Sequence, residues 1–259
     1  MKIGIVSNLY PPVVRGGAEQ IAHRIAKELI ARGHDVFVVS TEGRGSFMPR
    51  VTESNIERVY RYRPRNLYHS LRDHRYAFPV RLAWHLIDLF SSHPERALGA
   101  VLDAEKPDVV LTHNLKGFGL RCVEAIRSRK IRHVHTLHDV QLAIPSGLVI
   151  YGQERSWMND SPPQRWYARK VQDVFGSPDV VASPSKFLAD FYRDRGFFPN
   201  SRVEILPNPA PAIGPPPRGI RHPGPLRLLF AGQLETHKGV LFLLRTLNAL
   251  EIPFELHVA

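Results

Sequence analysis

Short apolar runs of strand length alternate along this chain with stretches whose apolar residues recur at helical spacing. That alternation constrains the fold more than any other feature of the 259 residues. Ile3-Gly4-Ile5-Val6 is the first apolar run, and a Pro/Gly loop ending at Gly16-Gly17 follows it. Ile21, Ala22, Ile25, Ala26, Leu29 and Ile30 then share one helical face, because side chains three and four apart lie above one another. Gly33 is a natural stop for that helix. Val36-Phe37-Val38-Val39 reads as a second buried strand. Strand, loop, helix and strand in this order make a βαβ unit, which implies parallel strands.

The alternation continues. Residues 55–62 read as strand, 80–105 as helix, 108–112 as strand, 117–129 as helix and 133–137 as strand. Residues 163–175 read as helix and 179–182 as strand. Ser185 is placed to cap a helix running to about Arg195, and 203–206 closes the series as a strand. The fold class expected for residues 1–206 is α/β, a doubly wound Rossmann-like parallel sheet. Residues 207–225 break the pattern with eight prolines in nineteen positions and read as an inter-domain linker. Strand 226–231, helix 238–250 and strand 254–258 then begin a second Rossmann-like domain over residues 226–259. One βαβ unit cannot bury its own sheet faces, so this second domain is expected to be truncated.

Composition narrows the partners. The net charge is +11, with a pI near 10.1. Residues 226–259 hold three basic and three acidic side chains, so the excess sits in residues 1–225. A basic surface suits phosphate-bearing substrates, an anionic membrane surface or nucleic acid, or is simply a solvated face. The densest basic and aromatic stretch runs from Arg58-Val59-Tyr60-Arg61-Tyr62-Arg63-Pro64-Arg65 to Arg81. No nucleic-acid-binding signature accompanies it, so nucleic acid is not an expected partner. A peripheral contact with an anionic membrane stays open. The single cysteine, Cys122, excludes an intrachain disulfide and fits a reducing compartment. The N-terminus lacks the pattern of a signal peptide, and no run of about 20 apolar residues exists to span a bilayer. A cytoplasmic protein is expected, soluble or resting on the inner face of the membrane.

Candidate functional residues cluster at predicted strand ends, where open α/β sheets bind ligands. Gly16-Gly17-Ala18-Glu19 lies between the first strand and helix, where backbone can approach a ligand and helix N–H groups are free. The same glycines would serve equally as a tight turn, and they do not form a Gly-x-Gly-x-x-Gly dinucleotide fingerprint. His113-Asn114 and His138-Asp139 each follow a strand; such side chains hydrogen-bond sugar hydroxyls or polarise a reacting group. His113 reads equally well as a structural hydrogen-bonder. Asn208 follows the last strand before the linker and has a turn as its plain alternative. Gly232, Gln233 and Lys238 follow the first strand of the second domain, and a lysine there suits a diphosphate. The thirteen histidines form no metal-ligand spacing, so no metal site is expected.

Taken in order, these pieces resemble the GT-B glycosyltransferases of family 4. The resemblance rests on Lys2 to Asn8, Pro11-Pro12, Gly16-Gly17-Ala18-Glu19, Arg32-Gly33-His34-Asp35-Val36, Lys106-Pro107-Asp108-Val109-Val110 and Thr112-His113-Asn114. It continues through Thr136-Leu137-His138-Asp139, Ser183-Pro184-Ser185, Leu206-Pro207-Asn208, Gly232-Gln233-Leu234 and His237-Lys238-Gly239. No motif of the family is recognised in residues 43–100. The resemblance implies transfer of a sugar from a nucleotide-diphosphate donor, with retained anomeric configuration and no required metal or other cofactor. The acceptor would be a glycan, a lipid-linked saccharide or a small molecule. By position, His138 would stand near the reaction centre. Gly16, Gly17, Glu19, His113, Asn114, Asp139 and Asn208 would contact substrate, and Gly232, Gln233 and Lys238 would hold the donor diphosphate. Gln233 stands where the family often has arginine. The family's paired glutamates near the nucleotide have no counterpart before Ala259, so residues 1–259 are not expected to catalyse transfer alone. A glycan- or lipid-headgroup-binding module and a sugar-nucleotide epimerase of the same architecture remain the alternatives.

Overall fold

The computed structural model describes residues 1–53, 57–149, 156–210, 214, 224–232, 234–235 and 238–259. The chain divides into two compact units, Met1–Pro209 and Ala210–Ala259.

The first unit is built on a sheet of eight strands. In chain order they are β1 (Lys2–Val6), β2 (Asp35–Thr41), β3 (Arg50–Glu53), β4 (Arg58–Tyr62), β5 (Val109–Thr112), β6 (Arg132–Thr136), β7 (Val180–Ser183) and β8 (Arg202–Ile205). Their spatial order is β3-β4-β2-β1-β5-β6-β7-β8. Every neighbouring pair is parallel except β3 and β4. From β1 the chain moves outward to β2 and later returns to lay β5 on the other side. Between β1 and β5 the strand order therefore reverses, which is where doubly wound sheets open a ligand crevice at their carboxyl edge.

Strand alternation decides which residues meet which layer. Val36 and Val38 join Ile3, Ile5, Ala22 and Ala26 under α1 (Gly17–Ala31). Phe37 and Val39 point the other way, into a larger core with Leu98, Leu102, Phe118, Ile126 and Tyr192. The second layer is carried by α2 (Phe78–Phe90), α3 (His93–Glu105) and α4 (Cys122–Ser128), followed by α5 (Trp157–Asp160), α6 (Pro162–Phe175) and α7 (Lys186–Arg193). Each fully buried Leu, Ile or Phe contributes about 1.5–3 kcal/mol. Cys122 is buried in this layer, as its apolar setting implied.

Three expectations about elements of this unit are corrected, and one strand was missed. The helix read over 80–105 is two helices, α2 and α3, separated at Ser91 and Ser92. Pro94 lies in the first turn of α3, where its missing N–H costs nothing, so it starts a helix and cannot sit inside one. The helix read over 117–129 shrinks to Cys122–Ser128, because Gly117 (φ +83) and Gly119 (φ +103) take left-handed turns before it. The strand read over 55–62 begins at Arg58, and residues 54–56 lie outside the described residues. An antiparallel β3 was not foreseen; it is a short edge strand against β4, and its pattern is too brief to register as a period. The Ser185 cap forms: its hydroxyl accepts from the Leu188 N–H at 3.2 Å, and α7 ends at Arg193.

In the second unit, β9 (Leu226–Phe230) and β10 (Phe254–Val258) pair in parallel and are joined through α8 (Val240–Asn248), which is shorter than the 238–250 expected. Gly239 sets the helix N-cap at φ +78. Leu229 and Phe242 remain exposed, at 71% and 76%. Most of the proline-rich stretch 207–225 lies outside the described residues.

Candidate active site

The carboxyl ends of β1, β5 and β6 meet at one edge of the sheet, as their registers require: Val6 is opposite Thr112, and Thr112 is opposite His135. The residues that follow these strands form a pocket lined by His113, Asn114, Lys116, His138, Asp139 and Gln141, with Asp88 of α2 and Tyr192 of α7. The sequence placed His113-Asn114 and His138-Asp139 at two separate strand ends; the sheet brings them together.

His113 and His138 are bonded ring to ring. His113 Nδ1 lies 2.9 Å from His138 Nε2, and the rings are 27° from parallel. Burial pushes His113 down to about 3 and His138 down to about 4, with the His138 charge adding to the shift at His113. Both are neutral near pH 7, so one proton is shared between the facing nitrogens. The other nitrogen of His113, Nε2, is buried without a partner among the described residues. A buried orphan N–H is rarer in proteins than an orphan acceptor. That preference puts the proton of His113 on Nδ1, which donates to His138 Nε2. The proton of His138 is then on its Nδ1.

A second histidine pair braces the floor. The Thr112 hydroxyl is 2.7 Å from His133 Nε2 and 2.8 Å from His135 Nδ1. A hydroxyl has one proton, so it donates to one ring and accepts from the other. Burial holds His133 at about 4 and His135 well below its ordinary value. The loop after β6 is fixed by Asp139, whose Oδ1 accepts from the Gln141 N–H at 2.8 Å. Tyr192 donates to the Asp139 carbonyl at 2.9 Å. Burial raises the Asp139 carboxyl to about 6.

Lys116 and Asp88 escaped the sequence reading. Asp88 is buried in α2 and accepts from the Gly117 N–H at 2.9 Å; burial raises it to about 7. The Lys116 ammonium donates to the Pro145 carbonyl at 3.3 Å, and burial pushes it below its ordinary value against the pull of Asp73 and Asp88. A signal existed for both. Lys116 lies four residues past a strand end, and Asp88 is the lone acid in the apolar stretch Phe78–Phe90.

The glycine loop has a local role of its own. Gly16 is the N-cap of α1, and the Glu19 side chain reaches back to accept from the Gly16 N–H at 2.9 Å. This is the reciprocal half of a capping box. Glu19 is buried, and its charge is felt at Asp139, while that of Arg15 is felt at Lys116. The loop therefore borders the histidine pocket. Gly17 has open space where a Cβ would stand. Asn208 is exposed and is not among the pocket's lining residues. In the second unit, Gly232 follows β9 at φ +154, and Lys238 is exposed just before the N-cap of α8. Gln233 and His237 lie outside the described residues.

A doubly wound sheet with a carboxyl-edge pocket, followed by the start of a second parallel unit, is the architecture of the GT-B glycosyltransferases. The chain belongs to Glycosyltransferase Family 4, whose family model matches residues 15–212. It is 28% identical over 209 residues to an uncharacterized 42.6 kDa protein in the cps region of Klebsiella pneumoniae, covering 80% of this chain and 55% of that one. Its fold is similar to that of sucrose-phosphate synthase from Thermosynechococcus elongatus, with a TM-score of 0.60 at 15% identity over 99% of this chain and 61% of that one. It is also similar to the catalytic domain of starch synthase IV from Arabidopsis thaliana bound to ADP and acarbose, with a TM-score of 0.54 at 16% identity over 99% of this chain and 68% of that one. The chain thus spans little more than half the length of the Klebsiella relative. Among the described residues, no helix is long and apolar enough to cross a membrane.

Proposed function

We propose that this chain supplies the acceptor side of a retaining glycosyltransferase. The enzyme would move a sugar from a nucleotide-diphosphate donor to a glycan, lipid-linked or small-molecule acceptor. In this reaction the bond from the anomeric carbon to the diphosphate oxygen breaks, and its electron pair leaves with the diphosphate. The acceptor hydroxyl oxygen bonds to that carbon and gives up its proton to the departing diphosphate.

The observation that carries the reading is the neutral His113–His138 pair at the carboxyl-edge pocket. Positive charge builds on the sugar ring as the glycosidic bond stretches. An imidazolium at that point would oppose it, whereas a neutral His138 donates from Nδ1 to a sugar or acceptor oxygen without that penalty. Asp139, largely ionised near pH 7, favours the developing positive charge. Asn114 lines the pocket and Gly17 leaves open space for close approach, so both are assigned to positioning hydroxyl groups. Within the second unit, Lys238 beside the α8 N-terminus is assigned to the donor diphosphate, where an ammonium and helix N–H groups both favour negative charge. Gly232 leaves room for close backbone approach.

Transfer assays with the purified full-length enzyme, to which this chain would supply the acceptor side, test the reading. His138→Ala is expected to lower kcat about 100-fold or more, while thermal unfolding stays near that of the wild type. An unchanged rate removes His138 from the reaction centre. The resemblance also carries the expectation that the diphosphate is neutralised by protein groups. Turnover should therefore persist in excess EDTA, and its loss, restored by magnesium or manganese, would contradict this part of the proposal.

A further inference from the structure

A second cavity opens on the same edge of the sheet, in a stretch that carries none of the motifs quoted above although the family model spans it. Its lining includes Gly43 after β2, Arg63 after β4, and Tyr68, His69, Arg72 and Tyr76. It shares a wall with the histidine pocket. Tyr68 donates to Asp73 Oδ1 at 2.7 Å, and Asp73 Oδ2 lies 4.0 Å from the Lys116 ammonium, which lines that pocket. Gly117, next in the chain to Lys116, lines the second cavity.

The charge of this cavity is one-sided. No aspartate or glutamate lines it. Some arginines of this unit are neutralised by acids, among them Arg58 with Glu105, Arg81 with Asp73, Arg121 with Glu124 and Arg129 with Asp103. Arg63 and Arg72 make no such pair among the described residues. Arg63 is steadied by the Phe47 ring, 5.3 Å from its guanidinium carbon. Tyr68 and Tyr76 stack at 4.0 Å and give the cavity a flat aromatic wall. Two exposed guanidinium groups at one concave site are suited to fork-shaped hydrogen bonding to phosphate or carboxylate oxygens, and a basic concavity focuses the field that attracts them.

We propose that this cavity binds an anionic group, phosphate or carboxylate, carried by the acceptor, so that Arg63 and Arg72 select acceptors that bear negative charge beside the histidine pocket. The proposal rests on the glycosyltransferase reading above and narrows its acceptor class.

Titration calorimetry on the 259-residue chain tests it, with inorganic phosphate, glucose 6-phosphate, glucuronate and glucose as probes. Vesicles of phosphatidylcholine with and without phosphatidylglycerol form a second arm. The charged probes should bind more tightly than glucose and weaken as salt rises. The double variant Arg63→Gln/Arg72→Gln should lose at least about tenfold in affinity, and the double lysine variant should keep part of it. Soluble sugar phosphates binding without vesicles identifies a soluble acceptor. Binding confined to phosphatidylglycerol vesicles, and lost in the double glutamine variant, identifies a lipid-borne anion; both outcomes support the site. Charged probes binding no better than glucose, or a folded glutamine variant binding like the wild type, overturns it. An enzyme that glycosylates neutral acceptors at a rate indifferent to the double variant overturns this inference alone. Anion binding lost in the variant, without any sugar transfer by the enzyme, would sink the function reading and leave the anion site.

Discussion

A neutral His138 can hold its proton on either ring nitrogen, and His113 decides between them. The buried, unpartnered Nε2 of His113 sends its proton to Nδ1, which leaves Nδ1 of His138 to carry the N–H. Nitrogen-15 spectra near pH 7 should show that tautomer at His138; an Nε2–H signal there would reverse the donor direction. Lys116 offers a second residue-scale test. Burial raises the Asp139 carboxyl to about 6, and the positive charge of Lys116 pulls against that rise. Lys116→Met removes the pull, so carbon-13 titration of Asp139 should move upward. A static titration would mean that solvent screens the pair. Neither side chain's role could be taken from its sequence neighbours. His113 and His138 are 25 residues apart, and the partner of each is supplied by the adjacent strand of the sheet.

Elements obeyed local sequence wherever local chemistry was complete. The Ser185 cap, the Gly33 stop (φ +81) and the apolar face of α1 needed only near neighbours. The helix read over 80–105 failed because apolar spacing continues through the break, while the proline's first-turn position is fixed by backbone geometry. Gly119 shows how the loop before α4 packs against the start of α3. A Cβ there would lie 2.1 Å from Pro94 Cγ, at a left-handed φ of +103. Gly119→Ala should therefore cost at least about 2 kcal/mol in denaturant unfolding, from strain and overpacking together. Gly33→Ala shares the left-handed backbone but meets nothing within 4 Å, so it should cost only about 1 kcal/mol. Equal losses at the two sites would show that the Pro94 contact relaxes freely.

The first unit as a whole carries an acid sensitivity that no single element sets. Burial holds His85, His133 and His138 at about 4 and His113 at about 3. In the unfolded chain these groups titrate near 6.5, so between pH 6.5 and 4 the unfolded state binds protons that the folded state refuses. Their contribution is present above pH 6.5 and is lost as pH falls toward 4. Asp88 and Asp139, raised to about 7 and about 6, act in the opposite sense, because below those values the folded state holds protons that the unfolded chain releases above about 3.8. Four histidines against two aspartates leave a net loss of stability on acidification. Urea midpoints should be lower at pH 5 than at pH 7, with a smaller drop in His113→Asn. A midpoint that is unchanged or higher at pH 5 would mean that the histidines are not held neutral in the folded state.

The order of the parallel strands and their crossovers follows from the sequence alone; the antiparallel edge strand β3 and the break between α2 and α3 do not. Period and capping are local, and they are written in residues a few positions apart. Which strand ends face one another does not follow. The β1–β5 crevice, the histidine pair, the buried charges of Asp88 and Lys116 and the unpaired arginines of the second cavity depend on contacts between residues tens of positions apart. Their protonation is set by burial, which exists only once both layers have closed on the sheet.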